Sequence, residues 1–229
     1  MRFVLIRHGQ SVNNLIFEQT GGELGRHPDP LLTELGHTQA QLLAAHVSGG
    51  GLPWPVTAVY TSLMARAIQT AAPLAEGLGL PLHAHAELFE CGGPYQQADD
   101  VTVAHPGSDP TELRALSDRL VLPELAEGPG WWAGPFEDQE HAYVERARRV
   151  VDDMRTAHQD ADVVALVTHG WFTQYLLREL LGIPTMRGWV EVSNTGISLL
   201  RDEEGRWAGT TTAVRLNWLP HLPDHHHST

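Results

Sequence analysis

Two stretches of the chain end in the same step. "MRFVLIRHGQSVNN" passes from an apolar, partly β-branched run into Arg7, His8 and Gly9, and "VVALVTHGWFTQ" does the same at His169 and Gly170. A strand that stops at His-Gly before an amphipathic segment sets an imidazole at the carboxyl edge of a sheet, where open α/β sheets carry their chemistry. "YTSLMARAIQTA" delivers Arg66 just past another strand-like run. If these three strands are neighbours, two arginines and two histidines converge on one small volume. Such a volume suits a dianion. Guanidinium forks grip phosphoryl oxygens by charge-assisted bonds, and helix N-termini after the His-Gly turns add backbone N–H donors. One neutral imidazole can attack phosphorus and carry the phosphoryl group as a phosphohistidine, while the other, if protonated, stabilises the equatorial oxygens. This chemistry requires no metal and no other cofactor.

The elements that must position these residues are legible as periodicities. Residues 2–7 form the first strand signal. After the Gly-rich "TGGELGRHPDP", Thr33 can cap a helix that sets Leu35, Leu42, Leu43 and Val47 on one face. "VTAVYTS" reads as a second strand, "LMARAIQTAAPLAEGLG" as a helix with Ala67, Ile68, Ala71 and Leu74 inward, and "LPLHAHAELFE" as a third strand. From about residue 91 to 136 the pattern degrades into irregular chain with one short helix near "TELRALSDRLV". Long irregular segments in compact domains act as lids or binding loops, and the adjacent Trp131 and Trp132 favour a packed lid. Val144, Ala147, Val150, Val151 and Met154 then make a helical stripe. "DVVALVTHG" is a buried strand, "WFTQYLLRELLG" a helix, and the segment around "EEGR" alternates as an antiparallel pair. Strands alternating with helices predict one three-layer α/β/α domain over residues 1–229, with a mainly parallel sheet, an insertion or lid after the third strand, and a flexible polar tail over 223–229.

Bulk properties narrow the partners. The formal charge is −13, and all 15 basic residues are arginine. A nucleic-acid partner needs clustered positive charge that this chain lacks. A few arginines can still build one local anion pocket, for which their bidentate fork is suited. The single cysteine, Cys91, excludes an intramolecular disulfide. No signal peptide or span of transmembrane length is seen, so a cytoplasmic protein without membrane partner is expected, and a homo-oligomer is left open.

Taken in order, "RHGQSVNN", "DPLLTELGHTQA", "YTSLMARAIQTA", "ELFE", "VTHG" and "SNTGISLL" span residues 2–200, and with them the sequence resembles the histidine phosphatase superfamily. The resemblance implies a phosphoglycerate mutase-like fold, with His8 as phosphoryl acceptor and Arg7, Arg66 and His169 as the phosphate pocket. It also implies that Asn14 touches the phosphate, that Gly170 offers its backbone N–H, and that Thr20 and Gly21 match a Thr-Gly step contacting substrate. Glu90 matches the general acid, with Glu87 as the alternative. A carboxyl group partly desolvated beneath Trp131 or Trp132 would suit that acid. Mutases of the family carry further cations after the acid, including an Arg-Arg pair and a Lys. Here only Arg114 and Arg119 lie between Cys91 and Gln139. The expected activity is therefore hydrolysis of a small phosphate monoester, with a mutase-type phosphotransferase or a non-catalytic phospho-ligand binder as alternatives. Outside this set, His83 and His85 lack a third ligand for a metal, Cys91 reads as a small filler, and "RARRVV" reads as a solvated helix face.

Overall fold

The computed structural model describes residues 1–22, 24–98, 101–124, 128–204 and 208–229, with Ala98 described by its backbone alone. A seven-stranded sheet forms its centre. In chain order its strands are β1 (Arg2–Arg7), β2 (Ala58–Ser62), β3 (Leu82–His85), then, past the two-stranded ribbon of β4 (Tyr95–Ala98) and β5 (Val101–Ala104), β6 (Leu120–Val121), β7 (Val163–Thr168), β8 (Ile197–Asp202) and β9 (Thr211–Trp218). The spatial order is β6-β3-β2-β7-β1-β8-β9. All pairs from β6 to β1 are parallel, and β8 and β9 close the other side antiparallel.

Strand β7 occupies the middle of this sheet, and all six of its residues are buried. This is why it reads as a continuous apolar run, since a parallel strand covered on both faces has no solvent side to alternate with. On one face Val4, Ile6 and Val167 pack with Leu43, Ala67, Ile68 and Leu74, which belong to α2 (Glu34–Ser48) and α3 (Ala65–Leu78). On the other, Phe3, Leu5 and Leu166 pack with Val150, Met154, Phe172 and Leu176. These come from α5 (Glu140–Ala157) and α6 (Gly170–Leu180). Two shorter helices complete the set, α1 (Val12–Thr20) behind β1 and α4 (Pro110–Ala115) in the insertion.

The insertion differs from the sequence expectation. Trp131 and Trp132 do not cover a site. Trp131 is 8% exposed and joins the core beside Leu113 and Phe89, and Trp132 packs edge-on against Phe89 with ring centroids 4.6 Å apart. Two indoles remove more apolar surface from water inside a core than on a mobile flap. Part of the polar 223–229 segment is held in place: Ser228 is buried, and Gln39 donates from Nε2 to the His226 carbonyl at 2.7 Å and to Ser228 Oγ at 2.9 Å, while residues 223–225, 227 and 229 are exposed.

Candidate active site

The register of the sheet assembles the centre. Arg7 pairs with Thr168 on parallel β1 and β7, so the next residue on each strand, His8 and His169, emerge side by side. Their rings lie 5.1 Å apart, edge to face. Strand β2 runs alongside β7 and ends at Ser62, after which α3 begins and brings Arg66 inward. Asp29 fixes that helix start, accepting from the Ala65 N–H at 3.0 Å where Met64 offers no capping side chain. The repeated His-Gly step has a steric cause. A Cβ on Gly9 would meet the Gly36 carbonyl oxygen at 2.7 Å, and one on Gly170 would meet Arg7 Nε at 3.2 Å. Each glycine lets the chain after its histidine press against a neighbouring part of the site.

His8 is held in one tautomer. Its Nδ1 sits 2.7 Å from the Gly9 carbonyl, which can only accept, so the proton is on Nδ1. Arg66 Nε donates to His8 Nε2 at 3.1 Å, so this nitrogen presents a lone pair. Burial pushes the His8 pKa well below its usual value, and the guanidiniums of Arg66 and Arg7 push it further. The ring is therefore neutral at neutral pH, with its nucleophilic nitrogen among cations. Burial also lowers Arg7 and Arg66 to about 10, which leaves both charged.

His169 is fully buried and is likewise held well below its usual pKa, first by burial and then by Arg66 and its neighbours. The condition attached to the second imidazole in the sequence, that it be protonated, is thus disfavoured here. Ser62 Oγ accepts from the Met64 N–H at 3.1 Å and lies 2.9 Å from His169 Nε2, where its second lone pair or its own hydrogen completes the bond. Arg7 is anchored by NH1 to the Val192 carbonyl at 2.5 Å. Arg7 Nε and His169 Nδ1 are buried without a hydrogen-bond partner among the described residues. The Arg7 donor, on a residue that lines the cavity, fits an oxygen of a bound anion.

Glu90 lies at the start of α6. Oε1 accepts from the backbone N–H of Phe172 at 2.8 Å and of Cys91 at 2.9 Å, and Oε2 from that of Trp171 at 3.1 Å. Two N–H groups of this helix end are thus taken by a carboxylate, while Gly170, whose N–H the resemblance offers to the substrate, lines the cavity. Glu87 is elsewhere, paired with Arg149 at 2.6 Å on the exposed side of α5. The "RARRVV" run is only partly a solvated face. Arg146 is buried, donating to the carbonyls of Glu87 and Phe89 at 2.9 and 2.6 Å and to Glu137 at 2.8 Å, with its guanidinium 3.7 Å from the Phe89 ring centre.

A cavity of about 740 Å³ opens over these groups, and Arg7, His8, Asn14, Arg66, Glu90 and Gly170 line it. His169, fully buried against the His8 ring, does not. Asn14 Oδ1 accepts from Ser11, closing the cap of α1, and lies 3.5 Å from Asn194 Nδ2. Thr20 and Gly21 are outside the lining: Thr20 bonds the Ile16 carbonyl, Gly21 ends α1 at φ 67°, and Gly22 is the residue that reaches the cavity. From the insertion, Gly92, Tyr95 and Phe136 contribute, whereas Trp131 and Trp132 do not.

Three contributors escaped the sequence reading. Arg26 lines the cavity, stacks over Tyr95 at 4.3 Å and depresses Arg66 electrostatically, which places a third cation near the pair. Its only signal was being a lone arginine in a Gly-rich loop. Ser62 holds the His169 ring through Oγ, 2.9 Å from Nε2. Asn194 donates from Nδ2 to the His8 carbonyl at 3.0 Å and is itself held by Ser228, through Oγ to Oδ1 at 2.9 Å. Among the described residues no group of three His, Cys, Asp or Glu could hold a metal ion. His85 pairs with Asp153 at 3.2 Å, and burial raises the Cys91 thiol far above its usual range.

The model of the histidine phosphatase superfamily (branch 1) matches residues 3–214. No curated protein matches the chain. Among solved structures, a phosphoserine phosphatase variant from Entamoeba histolytica in complex with phosphoserine aligns at TM-score 0.64 and 20% identity, covering 97% of this chain and 99% of the other. A mycobacterial glucosyl-3-phosphoglycerate phosphatase aligns at 0.60 and 22% identity, covering 94% and 98%. These likenesses extend over the whole sheet and its helices. Among the described residues no helix is long and apolar enough to cross a membrane. With the match running from β1 into β9, the chain belongs to the histidine phosphatase superfamily, branch 1.

Proposed function

We propose that this protein is a phosphomonoesterase that works through a phosphohistidine at His8 and needs no metal. The observation that carries the reading is the tautomer of His8: a neutral, buried imidazole whose Nε2 lone pair faces Arg66 while Nδ1 is tied to Gly9. A phosphoryl group entering the cavity takes over the Arg66 bond and offers an oxygen to Arg7, while His169 packs edge to face against His8 outside the lining. Nε2 then forms the N–P bond as the P–O bond to the alcohol breaks. Glu90 gives its proton to the departing oxygen. Oε2 is the suited atom, since it accepts one backbone N–H and Oε1 accepts two. In the second half Glu90 takes a proton from water, the water oxygen attacks phosphorus, and Nε2 leaves with its lone pair restored. The phosphatase names of the two similar structures support hydrolysis.

The test is phosphate release from a panel of monoesters with a chelator present. Release that persists with chelator and is lost in His8→Ala is expected. Release abolished by chelator, or retained by His8→Ala, overturns the reading. Product phosphorylated on an added alcohol in place of free phosphate would instead mark a transferase.

A further inference from the structure

Among the described residues three phenylalanine, tyrosine or tryptophan side chains are exposed, and all three line the same cavity. Phe17 is 59%, Trp171 52% and Trp189 60% exposed. Large aromatic rings scattered singly on a surface carry no message, but their confinement to one concavity marks a binding site. Trp171 is built in firmly. It follows Gly170 in the first turn of α6, and its N–H is fixed by Glu90 Oε2 at 3.1 Å. Trp189 meets it edge to face, ring centroids 6.0 Å apart at 71°. Trp171 therefore adjoins Gly170, which lines the cavity, and its backbone N–H bonds the carboxylate proposed to protonate the leaving oxygen. The cavity volume, about 740 Å³, is that of a small-molecule site.

We infer that Trp171 and Trp189 form a leaving-group subsite that takes the ring of a phosphate monoester, by stacking an apolar ring face on the indoles. This deepens the proposed hydrolase reading and rests on it for the phosphate end. A ring face presents aryl carbons or the axial C–H groups of a sugar, and both gain from an indole already held in place. A linear alcohol covers too little of either indole to do so.

Binding is measured by calorimetry on His8→Ala protein, with phenyl phosphate, glucose 6-phosphate and glycerol 3-phosphate, then repeated with Trp171→Ala or Trp189→Ala added. Weakening of a ring ester by about 5- to 10-fold, with glycerol 3-phosphate unchanged and Trp171→Phe largely restoring affinity, is expected. Loss for phenyl phosphate alone identifies an aryl site, and loss for glucose 6-phosphate alone a sugar site. Equal weakening of all three esters, or of none, overturns the subsite. Turnover of the same esters by protein retaining His8 separates the two claims. Ring-selective binding without any turnover sinks the hydrolase reading and leaves the subsite standing, whereas turnover without ring-selective loss sinks the subsite alone.

Discussion

At the scale of single residues, the site works by keeping an imidazole neutral in a place rich in positive charge. His8 and His169 both have pKa values depressed below the ordinary 6.5 by burial and nearby arginines, and His221 is lowered to about 4 by burial and His46. The unfolded chain binds protons at these rings as pH falls through about 6.5, and the native state does not. Their contribution to stability is therefore complete above pH 6.5 and is lost progressively below it, at up to about 1.4 kcal/mol per pH unit for each ring. Denaturant melts between pH 7 and pH 5 should show a smaller slope for His8→Ala than for the native protein; an unchanged slope would mean that His8 is not held neutral. Arg66→Lys keeps the charge but removes the planar fork and the Nε bond to His8. It is expected to lower kcat/KM by about 10²-fold, on the scale of losing one preorganised donor to the transition state. A fall of less than about threefold would remove Arg66 from that role.

At the scale of elements, the strand ends place the chemistry and two side devices hold it steady. Arg146 ties α5 to the carbonyls of Glu87 and Phe89 and so sets the approach to Glu90. Arg146→Ala leaves those carbonyls and Glu137 without a partner and is expected to cost about 3 kcal/mol in chemical denaturation. The segment 226–228 braces the other side, through Ser228 to Asn194 and from there to the His8 carbonyl. Ser228→Ala is expected to lower kcat about tenfold with little change in KM, and Ser228→Thr to recover part of it, because misplacing a nucleophile affects the attack more than the binding. A change in KM alone would assign Ser228 to binding. The helices α2, α3, α5 and α6 were legible because apolar residues recur at the helical period, β1 and β7 because they are continuous apolar runs, and β3 because Leu82 and Ala84 alternate, though it ends at His85 and not at Glu90. Helix α1 carried no such signal, since "VNNLIFEQT" buries none of its residues and rests on the Ser11–Asn14 cap. Arg146 was misread because its run is charged, and only the tertiary fold shows Phe89 and Phe172 sandwiching its guanidinium at 3.7 and 3.9 Å. The brace from Ser228 links positions 34 residues apart through a side-chain bond, which no local period encodes.

At the scale of the whole molecule, a chain of net charge −13 gathers Arg7, Arg26 and Arg66 about one cavity. Buried guanidiniums lowered only to about 10 keep that pocket cationic through the physiological range. The insertion is bound into the same body, since Trp131 packs in the core beside Phe89, the neighbour of Glu90. Trp131→Ala is accordingly expected to lower stability by about 3–5 kcal/mol while leaving the pH dependence of kcat/KM unchanged. A shifted pH profile with unchanged stability would restore the lid expected from sequence. The central claim concerns His8, and rapid acid-free quenching during turnover of a monoester, followed by mass spectrometry of the intact protein and its peptides, tests it most directly. The account predicts a transient gain of one phosphoryl group on His8, stable in alkali and lost in acid, that builds up further in Glu90→Gln when the ester is p-nitrophenyl phosphate, whose leaving group departs without an acid. Turnover with no phosphorylated protein in either form, or with the group on another residue, would contradict it.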